Sequence, residues 1–133
     1  MTRLLSSFLF SICGLLRAGP LVEHSVRVEC KFVFGRGLVS SMGEHLADGD
    51  IVRVLPVPME RVREHMTIEV ESATGHPAPN YSHEVIAVRH AANGELYFIT
   101  KGTANMVADW LHVTAAEYRG VLDIPLIQHH PKS

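Results

Sequence analysis

Lysine is scarce in this chain: only Lys31, Lys101 and Lys132 occur among 133 residues. Cysteine is rarer, with Cys13 and Cys30 alone. No Cys-x-x-Cys spacing occurs, so neither a disulfide framework nor a thiol redox motif is indicated. Two free thiols acting as small hydrophobes is the better reading. The formal charge is only −2, which leaves no basic footprint for nucleic acid. Nine histidines are present, but His45 and the pair His129-His130 lack metal-ligand spacing with an ordered partner. No metal and no cofactor is therefore expected. There is no internal repeat and no low-complexity tract.

What remains is ordinary for a globular protein: 47% apolar and 20% charged residues, a balance that argues against disorder. The length favours one domain with a core large enough to need no staple. The longest uncharged run, Leu4 to Leu16 (LLSSFLFSICGLL), lies between Arg3 and Arg17. As a helix it reaches roughly 20 Å, short of a bilayer core of about 30 Å. By composition three readings stay open: a short anchor with snorkelling arginines, a signal-peptide core, or a buried helix.

Beyond Ala18-Gly19-Pro20 the pattern is that of strands. Ser25 to Phe34 alternates with period two and reads as one strand with a buried face. Gly35-Arg36-Gly37 breaks it, and Leu38-Val39 leads to Ser40-Ser41-Met42-Gly43. Strands are expected at 51–55, 66–70, 83–89, 96–100 and 120–127, with the Asn93-Gly94 hairpin signal between the fourth and fifth. A turn or short helix is expected at 60–64, a loop at 72–82 and a short helix at 114–118 capped by Thr114. The sum is a mainly β, antiparallel domain at 23–133 behind an apolar segment at 1–22.

Three residues stand where chemistry needs them. Ser41 lies at a junction between strands, where backbone N–H groups can face a developing oxyanion. His83 begins an expected strand after a flexible loop, a place for a general base. Asp109 follows a loop, and a carboxylate there can orient an imidazole. Taken singly, each is also a polar turn, a surface histidine or a solvated acid.

The joint pattern is more specific. Ser41-Met42-Gly43 through Gly49-Asp50-Ile51-Val52-Arg53-Val54 resembles the serine box of signal peptidase I. His83-Glu84-Val85-Ile86 resembles the His-Arg-Val-Ile box of that family's endoplasmic-reticulum, archaeal and sporulating-bacterial branch. Thr100-Lys101-Gly102-Thr103-Ala104-Asn105 resembles its Thr-Lys-Gly-Asp-x-Asn box, and Asp109 falls at its second essential aspartate. Val113 to Ile127 resembles the closing segment. The boxes run in the family's order from about residue 28 to 127.

The resemblance implies a fold of signal-peptidase type behind an N-terminal membrane-anchor helix, with the domain on the outer or lumenal face. It implies a serine peptidase with Ser41 as nucleophile, His83 as base and Asp109 as orienting acid. Ser40 and Met42 stand at the oxyanion and substrate-binding turn. Signal peptides of secreted preproteins are the implied substrates, and membrane lipid and partner subunits the further partners. No lysine lies between the serine box and the hairpin, which sets the chain apart from the Ser/Lys enzymes. It departs from the boxes at several positions. Ser40 replaces a glycine, Glu44-His45 a proline-containing pair, Glu64-His65 a Gly-Asp, Glu84 an arginine and Thr103 an aspartate. These departures motivate an alternative expectation, a catalytically impaired homologue that binds export substrates or partner subunits.

Overall fold

The computed structural model describes residues 20–33 and 37–128. The expected anchor at 1–22 lies almost wholly outside them, as does the tail from 129. Among the described residues no helix is long and apolar enough to cross a membrane.

The chain is mainly β. Six strands form one sheet: β1 (His24–Arg27), β4 (Ile51–Leu55), β5 (Thr67–Glu71), β6 (Asn80–His90), β7 (Leu96–Lys101) and β8 (Tyr118–Leu122). Their spatial order is β1-β4-β8-β5-β6-β7, and every neighbouring pair is antiparallel. A separate two-stranded ladder joins β2 (Lys31–Val33) to β3 (Gly37–Val39). The expected strand at 25–34 is thus two strands. Its interruption has a cause: Val28 N–H bonds the Asp50 carbonyl at 2.8 Å, and Cys30 N–H bonds Asp48 Oδ1 at 2.9 Å. Those bonds tie the chain to the 48–50 turn and end its pairing with β4.

Two further expectations need correction. The segment 114–118 is one turn and not a helix. The Thr114 carbonyl accepts both Glu117 and Tyr118 N–H at 3.0 Å, and the chain then enters β8. The last strand ends at Leu122, well short of 127. Past that point the Ile124 N–H turns back to the Leu122 carbonyl, and Pro125 has no donor for a ladder.

The sheet is covered on both faces. Ile68, Val70, Tyr81, Val85, Phe98, Val113 and Val121 form one core, and Met42, Leu46, Val52, Val54, Leu122 and Ile127 a second. The register assigns them to opposite sides: Val121 pairs with Ile68, while its neighbour Leu122 pairs with Val54. Strand β5 is therefore buried at four consecutive residues, Thr67 to Val70. Burying a large aliphatic or aromatic side chain contributes about 1.5–3 kcal/mol, so each small core supports its own half of the molecule.

Gly120 carries the closest approach in the sheet. Its φ is +129°, and a Cβ there would lie 2.5 Å from the Leu55 carbonyl oxygen and 2.7 Å from Val54 Cγ1. Gly120→Ala is expected to cost more than about 2 kcal/mol through strain and displaced backbone. Urea unfolding should show it as a lower midpoint with an unchanged slope.

Candidate active site

Ser41 follows β3 in a tight turn. The Ser40 hydroxyl accepts the Met42 N–H at 3.1 Å, and the Ser40 carbonyl accepts the Gly43 N–H at 3.0 Å. Gly43 supplies the positive φ (+60°) that opens the single 3₁₀ turn Gly43–His45. Met42 is 1% exposed and plugs into the second core, so it anchors the turn while Ser41 stays open to solvent.

The segment after β7 holds Ser41 from the other side. Ala104 N–H donates to the Ser41 carbonyl at 2.8 Å. A Cβ on residue 102 would fall 2.6 Å from that carbonyl oxygen and 2.9 Å from Ser41 Cβ, so only Gly102 fits the contact. Lys101 Nζ donates to the carbonyls of Gly102 and Asn105, at 3.0 and 2.5 Å. Its ammonium is engaged in holding this loop rather than reaching Ser41.

His83 is the fourth residue of β6, not its first, because Asn80–Ser82 already pair with Glu69–Glu71. The ring is 2% exposed and lies 4.9 Å, centre to centre, from that of Tyr81. Its Nε2 is 2.8 Å from Ser41 Oγ, and its Nδ1 is 2.5 Å from Asp109 Oδ2. Asp109 is placed by Thr100, whose carbonyl accepts the Asp109 N–H and whose hydroxyl donates to Oδ2, both at 2.8 Å. A carboxylate on Nδ1 holds that nitrogen protonated, which leaves Nε2 as acceptor for the Ser41 hydroxyl proton. Burial, and next the charge of Asp109, push the Tyr81 phenol above its ordinary range, so it stays neutral beside the ring.

Ser41, His83 and Asp109 are thus brought together, with Ser40 and Met42 flanking them. Among the described residues no acceptor takes the Ser41 N–H. Thr103 is no part of this chain of bonds; among the described residues its buried hydroxyl has no partner, and it lies near Gly43. Two other departures from the sequence boxes meet each other. His65 Nδ1 lies 2.8 Å from Glu84 Oε2, and Glu84 is 1% exposed. Where the boxes carry an aspartate and an arginine, this chain carries a histidine and a glutamate. Among the described residues no group of three or more metal-ligating side chains occurs.

Ser41 and His83 open onto a groove of about 750 Å³ whose walls include Val26, Val28, Tyr81, Ser82, Glu69 and Asn105. Strand β7 pairs with β6 only from Glu84 to His90, so residues 80–83 have β5 on one side and, among the described residues, an open edge on the other. Glu69 and Ser82 were not legible as site residues. Glu69 is 7% exposed and accepts the Ser82 hydroxyl at 2.5 Å, and a strand pattern at 66–70 carries no sign of either. Thr100 was visible only as part of a box, with no hint that it positions Asp109.

Burial raises the Glu69 carboxyl from 4.5 to about 7, against the opposing effects of Ser82 and His24. The folded form therefore holds a proton that the unfolded chain has lost between those values. Stability from this group is complete below the unfolded value and falls as pH rises toward 7, by up to roughly 3 kcal/mol. Urea unfolding from pH 4.5 to 8 should show a loss that is smaller in Glu69→Gln.

Compared with models of protein families, with curated proteins and with solved structures, the chain matches none, so the site rests on its own geometry.

Proposed function

We propose that the protein is a membrane-associated serine endopeptidase that removes signal peptides from exported proteins. The observation that carries this reading is the continuous set of bonds Ser41 Oγ–His83 Nε2 and His83 Nδ1–Asp109 Oδ2. Nothing in a structural role requires an exposed serine to meet a buried histidine that is itself fixed by a buried carboxylate. The order of the sequence boxes supplies the substrate class, a fold of signal-peptidase type and the anchor at the N-terminus.

The peptide lies extended in the groove and adds a strand along the open edge of residues 80–83. Ser41 Oγ attacks the carbonyl carbon at the cleavage site while its proton passes to His83 Nε2. Asp109 stabilises the imidazolium, and Thr100 stabilises Asp109. The oxyanion is met by the Ser41 N–H. The Ser40 hydroxyl assists, since its oxygen accepts from Met42 and its own proton is free to donate. His83 then protonates the leaving amine, the C–N bond breaks, and an acyl-Ser41 remains. Water attacks the acyl carbon, gives its proton to His83 and releases the new carboxylate, after which Ser41 recovers its proton.

Exposed Met106, Val107 and Trp110, on the loop that leads to Asp109 and beyond, support a placement of this side toward lipid. Partner subunits have the same surface open to them.

A fluorophosphonate probe is expected to label the wild type and not Ser41→Ala, with mass spectrometry placing the adduct on Ser41. Labelling that persists in the variant would remove Ser41 as nucleophile. Cleavage of a preprotein in liposomes should fall about 10⁴-fold in Asp109→Asn, the order expected for loss of an orienting carboxylate. A folded wild type that binds signal peptide and never cuts it would establish the binding-module reading instead.

A further inference from the structure

An extended peptide on the open edge of β6 must alternate its side chains between the two faces of the sheet. Tyr81 and His83 define one face, where Ser41 acts. Ser82 and its cross-strand partner Glu69 define the other. Every second substrate residue is therefore presented to the Glu69 side of the same groove.

That side holds an unusual group. Glu69 is almost fully buried, and its hydrogen-bond partner is a neutral hydroxyl, Ser82. Among the described residues no lysine or arginine forms an ion pair with it. The Arg119 guanidinium in the same wall is bound to Glu71 at 3.0 Å. His24, from β1, attracts Glu69 electrostatically, but its Nδ1 is bonded to the Val22 carbonyl at 2.7 Å. A carboxyl kept from water with no fixed cation is costly to the empty fold. It becomes favourable when an incoming cation completes the pair.

We propose that Glu69 and Ser82 form a specificity subsite for a lysine or arginine side chain. The cationic residue sits next in sequence to a residue whose side chain lies on the Ser41 face. This rests on the peptide-binding reading of the groove, and it narrows the substrate class to peptides that carry a basic residue near the cut. Its neighbours in sequence face Ser41, and the basic residue faces Glu69.

The test separates recognition from turnover by using Ser41→Ala protein. A fluorescein-labelled, alanine-rich peptide is scanned with a single lysine, or with norleucine as its uncharged equivalent, at each position in turn. Anisotropy then gives Kd. One register should bind the lysine peptide at least tenfold tighter than its norleucine twin, and the two adjacent positions should show no such difference. Adding Glu69→Gln, which keeps the shape, should reduce that ratio to about one. Adding Glu71→Gln should leave it in place. Lysine preference at no position, preference that survives Glu69→Gln, or no binding of any peptide would each overturn the subsite. The hydrolase reading is tested apart from it: wild type labelled by the fluorophosphonate, yet indifferent to lysine, keeps the peptidase and loses the subsite.

Discussion

The contact between the backbone of residue 102 and Ser41 is the constraint on which the site depends. Three segments distant in sequence converge there: the turn after β3, the end of β7 and the middle of β6. The 2.8 Å bond from Ala104 N–H to the Ser41 carbonyl fixes the turn, and the missing Cβ at Gly102 lets the strands close. Lys101 gathers the carbonyls of the same loop, so one cation stiffens the wall against which the serine is set. Seven residues past Gly102 the chain comes back beside Thr100 and delivers Asp109 to His83. Register at the end of one strand thus determines the geometry of all three polar groups.

Much of this was legible in the residues. Strand β4 lies where the pattern of 51–55 puts it, because the turn residues Asp48-Gly49-Asp50 precede it and Pro56 and Pro58 end it. The hairpin of β6 and β7 follows from Asn93-Gly94. The meeting of Ser41, His83 and Asp109 was suggested by the order of the boxes rather than by periodicity. The failures have a common origin in interactions that sequence spacing does not carry. The strand at 25–34 is cut by bonds to the distant turn at 48–50. The run at 114–118 contains good helix formers, but its first turn is pulled directly into β8. Glu69 is not singled out by a strand pattern at 66–70, because alternation does not tell that β5 is covered on both faces.

The double covering also explains the polar residues inside the molecule. A sheet with one wet face would leave Thr67, Glu69 and Glu84 in water. Here they lie on the side where Met42, Leu46 and Leu122 pack, and the two carboxyls are drawn into specific pairings, Glu69 with Ser82 and Glu84 with His65. The His65–Glu84 pair gives two departures from the sequence boxes one joint explanation. The two side chains meet at 2.8 Å, with Glu84 buried.

The edge at Asn80–His83, without a partner strand among the described residues, has a further consequence for the protein in the absence of any peptide. Unpaired strand backbone is a template for any extended chain, another copy of this one included. Here the template is short. It alternates polar and aromatic side chains, and His83 within it is already held by Ser41 and Asp109. Such an edge is long enough to seat a few residues of a peptide and too short to seed a growing stack of strands. The brevity of β7 thus sets the balance between receiving a segment and self-association.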